Sequence, residues 1–246
     1  MFGVSWLLKR ASTRAFTNWM NESLALQGAA MEGVVQELFS ELVVTGQRTK
    51  SPRVIAMMGL TGSGKTAVAR RVAKKGGGVI VSSDTILLCL RARGMSMDGE
   101  TRIGVHARLA RFLLEEGFTV ILDGDYVTPE SLDFVEWISG YSVGRPIYIR
   151  TVCDLVIQEM RIMAPAYLEG SIYAHRLVWN TLPSRAPPAL ACHLEMMRRI
   201  GFHYDFTRCA GGQQTLRSFD HIGGLTTIDT GVDAWRDTLD QAMASW

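Results

Sequence analysis

Apolar positions follow two regimes along the chain. Over residues 1–50 they recur at three- and four-residue steps. Trp6 and Leu7 stand beside the basic Lys9, Arg10 and Arg14, and Met31, Val34, Val35, Leu38 and Leu42 form a cleaner series. Such spacing gathers apolar side chains on one face of a helix, so this region predicts helices and no strand. A polar connector, Thr45–Ser51, leads to Pro52, where the pattern changes.

Beyond Pro52, short apolar runs alternate with helical periodicity. Val54–Met58 predicts a strand, Lys65–Lys75 a helix stopped by Gly76–Gly78, and Val79–Ser82 a second strand. Gly94–Gly99 predicts a loop. Ile103–Glu116 predicts a helix with Ile103, Ala107, Ala110 and Leu114 on one face. Phe118–Leu122 reads as a third strand. Thr128 before Pro129 is a favourable helix start, with Leu132, Val135 and Ile138 on the buried side. Ile147–Arg150 predicts a fourth strand, followed by a helix near Asp154–Ile162. Ala164–Pro188 holds four prolines and few periodic positions. Pro188–Ile200 is again helical, Leu225–Ile228 is a short last strand, and Val232–Ser245 is an amphipathic helix. Repeated strand–helix units with almost wholly apolar strands predict a parallel sheet covered on both faces.

Length and composition narrow the classes. The 246 residues amount to about one and a half domains at roughly 150 residues each, which suits a helical extension (1–50) on one full domain (51–246). With 47% hydrophobic and 20% charged residues and a net charge of +2, the composition is that of an ordinary soluble globular protein. The basic residues are scattered, giving no sign of an extended nucleic-acid surface. The longest apolar runs, Val54–Leu60 and Phe118–Leu122, are strand-sized, so no membrane-spanning helix is expected. Cys89, Cys153, Cys192 and Cys209 lack metal-binding spacing and read as reduced thiols of a cytoplasmic protein. The acid-poor start, with Glu22 the first acidic residue, leaves organellar targeting as the alternative. The five histidines have no metal-ligand spacing and receive no role.

The chemistry concentrates at Gly59-Leu60-Thr61-Gly62-Ser63-Gly64-Lys65-Thr66, which fits G-x-x-x-x-G-K-[ST] in full between a predicted strand and a predicted helix. Glycines let successive backbone N–H groups point inward, and the helix start, reaching Ala67, adds its positive end. These residues predict a cradle for a nucleoside triphosphate, with Lys65 reaching the β and γ phosphates and the Thr66 hydroxyl on Mg²⁺. No Asn-Lys-x-Asp tetrad for guanine occurs, and strand three ends in Leu122-Asp123-Gly124-Asp125 rather than a paired acidic motif. GTPase and motor readings weaken accordingly.

Ser82-Ser83-Asp84 and Asp123 stand at the carboxyl ends of the second and third predicted strands, the ends that face ligands in such sheets. Together with Gly59–Thr66, Ile147–Arg161 and Ile228-Asp229-Thr230, they resemble the small P-loop kinases grouped around polynucleotide kinases, gluconate kinases and zeta toxins, over about residues 53–245. The resemblance implies a three-layer α/β/α P-loop NTPase fold with a mostly parallel five-stranded sheet. It implies that Asp84 is the general base, that Asp123 supports the metal with Asp125 as second candidate, and that Arg161 is the first arginine of a lid. Asp84 has a second reading as the cap of a helix over Thr85–Arg91. Two departures bear on the acceptor. No Pro-Arg follows Asp123-Gly124, and Leu87 stands where polynucleotide kinases of this type carry a phosphate-binding arginine, leaving Arg91 or Arg93 as substitutes. Arg176 or Arg185 would have to supply the second lid arginine. Residues 161–188, with Tyr167, Tyr173, His175 and Trp179, would form a lid or an acceptor region.

The expectation is an ATP- and Mg²⁺-dependent phosphotransferase acting on a hydroxyl of a small molecule. A polynucleotide 5′-hydroxyl kinase is the alternative, and an ATP-binding interaction module the second one. The N-terminal helices would pack on the domain, on a protein partner or on another subunit.

Overall fold

The computed structural model describes residues 13–26, 28–42, 46–96, 98–165, 167, 188–206 and 215–246. In chain order the elements are α1 (Thr13–Leu26), α2 (Gly28–Leu42), β1 (Val54–Met58), α3 (Lys65–Gly76), β2 (Val79–Ser82), α4 (Ser83–Ala92), α5 (Gly99–Glu115), β3 (Val120–Asp123), α6 (Pro129–Ser139), β4 (Ile147–Val152) and α7 (Leu155–Met163). There follow α8 (Pro188–His203), β5 (Tyr204–Asp205), β6 (Thr215–Leu216), β7 (Leu225–Asp229) and α9 (Trp235–Met243). A five-stranded parallel sheet has the order β2–β3–β1–β4–β7 and is flanked by helices; β5 and β6 form a separate antiparallel pair. That pair had no signal in the sequence, because two-residue strands carry no periodicity. Of the first helical stretch, Arg14 lies in α1, and Trp6, Leu7, Lys9 and Arg10 lie outside the described residues.

The chain forms two compact units. The first comprises the described residues up to Met57 together with Ala69–Ile147. Its strands β1, β2 and β3 pair in parallel, with Val54 opposite Val120 and Ser82 opposite Asp123. All five residues of β1 and all four of β3 are buried, as strands covered on both faces require. The capping signal at Thr128 is realised fully: its hydroxyl accepts from the Ser131 N–H, the Ser131 hydroxyl accepts from the Thr128 N–H, and Pro129 opens α6. Met31, Val34, Val35 and Leu38 are buried where α2 meets α4 and α5, and Phe16 and Met20 where α1 meets α5 and α6. The connector is pinned as well, since Gln47 N–H donates to Gly77 O and Thr49 N–H to Gly117 O, both at 2.7 Å.

The second unit comprises Met58–Val68 and the described residues from Tyr148 onward. Strands β4 and β7 pair in parallel from Tyr148–Leu225 to Val152–Asp229. Leu60, Ile162, Cys192, Met196 and Tyr204 share a core flanked by Leu155, Tyr167 and Ile200, so α7, α8 and the glycine-rich loop pack on one another. Arg150, buried on β4, donates to His203 O and Arg217 O at 2.7 Å and lies over the Phe219 ring.

Candidate active site

The glycine-rich loop is shaped by its own backbone and by the ends of β4 and β7. Gly59, Gly62 and Gly64 have φ of 145°, 81° and 90°, a region that residues with a Cβ rarely adopt. At Gly59 space is lacking too: a Cβ would lie 2.6 Å from both Ser63 Oγ and Thr151 O. Ser63 is fully buried, sharing a hydrogen bond of 2.6 Å with Thr151 Oγ1 and accepting at its carbonyl from Thr230 Oγ1 at 2.7 Å. Thr151 Oγ1 also donates to Met58 O. Two threonine hydroxyls thus fix the loop. Lys65 folds back, its Nζ donating to Gly59 O at 2.7 Å and Leu60 O at 2.9 Å. Thr66 and Ala67 are exposed on the first turn of α3.

Arg161, at the end of α7, clips this assembly. Nη1 donates to Thr230 Oγ1 at 2.9 Å and Gly62 O at 3.3 Å, and Nη2 to Thr230 O at 2.7 Å. Burial pushes the neighbouring Cys153 thiol above its usual pKa, with the Arg161 charge pulling the other way. Cys89, Cys153 and Cys192 form no disulfide. Cys209, Arg176, Arg185, Tyr173, His175 and Trp179 lie outside the described residues.

In the first unit, the carboxyl ends of β2 and β3 carry the two carboxylates. Asp123 is buried, 7% exposed, and stands opposite Ser82 in the ladder. Asp84 is exposed on the first turn of α4. The helix cap is Ser82, whose Oγ accepts from the Asp84 N–H at 3.2 Å. The capping reading of Asp84 is therefore corrected: a serine two residues earlier takes that role. Leu87 is buried. Of its two possible substitutes, Arg93 pairs with Glu37 of α2, while Arg91 has its Nη1 buried without a hydrogen-bond partner.

Comparison with known proteins agrees with this architecture. Residues 54–152 match the AAA domain family described as AAA_33. A candidate kinase from Chloroflexus aurantiacus superposes with a TM-score of 0.55 at 17% identity, covering 80% of this chain and 100% of its own. The protein APE1195 gives 0.50 at 17% identity over 81% and 97%. A gluconokinase from Sinorhizobium meliloti gives 0.42 at 13% identity over 80% and 92%. The chain has a P-loop NTPase fold. No curated protein sequence matches the chain.

The loop Gly59–Thr66 with Ala67 and Arg161 lie together in the second unit, and Asp84 and Asp123 both lie in the first. Among the described residues there is no cluster of three or more His, Cys, Asp or Glu able to hold a metal, and no helix long and apolar enough to cross a membrane. Sequence reasoning missed Thr151, whose only signal was a hydroxyl inside an apolar strand. It quoted Thr230 without giving it a task. It also missed a buried pair, Tyr126 and His106, with Tyr126 Oη 3.3 Å from His106 Nε2. Burial lowers His106 to a pKa of about 4. Burial is likewise the main cause that raises Tyr126; a hydrogen bond to Ser83 opposes the shift and the Asp123 charge adds to it.

Proposed function

We propose that the protein is an ATP-dependent phosphotransferase that moves the γ-phosphate of MgATP to a hydroxyl of a small-molecule acceptor. The observation that carries this reading is a complete phosphate loop, fixed by Thr151 and Thr230, in a chain that also ends β3 in Asp123 and places Asp84 two residues beyond β2. Backbone N–H groups of residues 59–66 bind the phosphates, and Lys65 exchanges its two carbonyl acceptors for phosphate oxygens. Arg161 holds Gly62 and Thr230 in place and adds positive charge beside the loop. The Asp84 carboxylate, exposed at the start of α4, accepts the proton of the acceptor hydroxyl as its oxygen attacks phosphorus.

The Thr66 hydroxyl and the Asp123 carboxylate are hard oxygen donors that suit Mg²⁺, and Asp125 is a second carboxylate beside Asp123. When bound, the ion offsets charge on the phosphates. A small acceptor is favoured over a polynucleotide end. Leu87 is buried and Arg93 is committed to Glu37, which weakens the phosphate contact expected for nucleic acid.

The test is to incubate the full chain with γ-labelled ATP, Mg²⁺ and a panel of sugars, hydroxy acids, nucleosides and 5′-hydroxyl oligonucleotides. Label on a small hydroxylated compound is expected. Label found solely as inorganic phosphate across the panel overturns the reading, and label on oligonucleotides replaces the acceptor class.

A further inference from the structure

Polar groups beside the carboxyl ends of β2 and β3, two of them buried, form a chain that the roles above leave unused. Ser83 opens α4 immediately before Asp84, and its hydroxyl hydrogen-bonds the Tyr126 hydroxyl. Tyr126 Oη in turn meets His106 Nε2, on α5, at 3.3 Å. Tyr126 and His106 are each only 7% exposed. The surroundings are aromatic: Phe134 stacks on Tyr126 with 14° between the rings and meets His106 edge-on at 5.3 Å. Gly124 makes room for this arrangement, because a Cβ there would come within 2.9 Å of the Tyr126 ring and 3.3 Å of Ser83 Oγ. The Tyr126 N–H also donates to Met57 O, tying the segment to the end of β1.

We propose that Tyr126 and His106 are positioning residues for phosphoryl transfer, which through Ser83 hold the first turn of α4 and fix the direction of the Asp84 carboxylate. The proposal rests on the reading of Asp84 as base. Hydrogen counting gives it content. A neutral imidazole carries one N–H, and in either tautomer the Tyr126 hydroxyl donates to one neighbour and accepts from the other. Replacing tyrosine by phenylalanine keeps the stacked ring but takes a partner from half-buried Ser83 Oγ and leaves His106 Nε2 unpaired in an apolar pocket. Each then seeks a new partner, and the helix start loosens. A general base gains its rate from placement near the acceptor hydroxyl, so loosening acts on turnover and leaves nucleotide binding to the loop alone.

Tyr126→Phe, His106→Gln and His106→Leu in the full chain test this. Hydrogen exchange at the Asp84 amide, which is bonded to Ser82 Oγ, reads the brace without any reaction. In Tyr126→Phe it should speed up about tenfold, with kcat about tenfold lower, KM for ATP unchanged and the thermal midpoint lowered by a few degrees. His106→Gln, which keeps a polar group, should fall between wild type and His106→Leu. Unchanged exchange overturns the proposal, and so does faster exchange with wild-type kcat or a change confined to KM for ATP. A wild-type protein that phosphorylates no acceptor removes the kinase reading and the positioning role with it; failure of the proposal alone leaves wild-type transfer intact.

Discussion

At Lys65 the ammonium group rests on two carbonyl oxygens of its own loop, and at Asp84 a carboxylate stands exposed beside a cap that does not need it. Two substitutions separate binding from chemistry. Lys65→Ala should abolish measurable transfer and weaken MgATP binding by tenfold or more, about what one charge-assisted phosphate contact contributes. Asp84→Asn should bind MgATP like wild type while kcat drops by about 10²–10⁴; equal loss of both in a titration and a transfer assay would contradict its assignment. Thr230→Val removes one donor to Ser63 O and one acceptor of Arg161, so chemical denaturation should show a loss of about 1–3 kcal/mol. His106 supplies a pH signature. Its pKa is about 4 in the fold against 6.5 for an unperturbed histidine, so the unfolded chain binds the extra proton between those values. Stability is then undiminished above pH 6.5 and falls on acidification from 6.5 to 4, by about 3 kcal/mol in total. Melting of His106→Gln across that range should show a flatter profile than wild type.

Among the elements, α2 shows how periodicity becomes packing. Met31, Val34, Val35 and Leu38 were legible as a stripe, and they are the residues buried against α4 and α5. Leu38→Ala should cost about 2–5 kcal/mol in unfolding free energy, the range for a buried leucine truncation. The Arg93–Glu37 pair on the same face is exposed, with side chains 37% and 43% accessible, and contributes little by comparison. Strand extents were legible to within two or three residues, since runs such as Val54–Met58 and Val79–Ser82 are bounded by glycine or polar residues. The β5–β6 pair was not, because its partners are separated in sequence and each is too short to alternate.

For the whole molecule, the consequence concerns residues 1–50. Met20, Val34 and Leu38 are essentially inaccessible, so we propose that α1 and α2 complete the core of the first unit. Deleting residues 1–50 should lower the melting temperature markedly and expose apolar surface to a fluorescent dye, rather than yield a stable domain lacking only an interaction arm. A deletion that melts like the full chain would return these helices to the role of an appendage.

The sequence by itself determined the parallel α/β architecture and the phosphate loop. Strand burial writes a continuous apolar run, and the loop needs glycines and a lysine at fixed spacing. Tertiary structure alone decided what holds that loop and those carboxylates. Thr151 lies 88 residues from Ser63, Thr230 lies 167 away, and Tyr126 lies 20 from His106. Hydrogen bonds across such separations leave no periodic trace, because each partner satisfies its own local element and meets the other only once the sheet has formed.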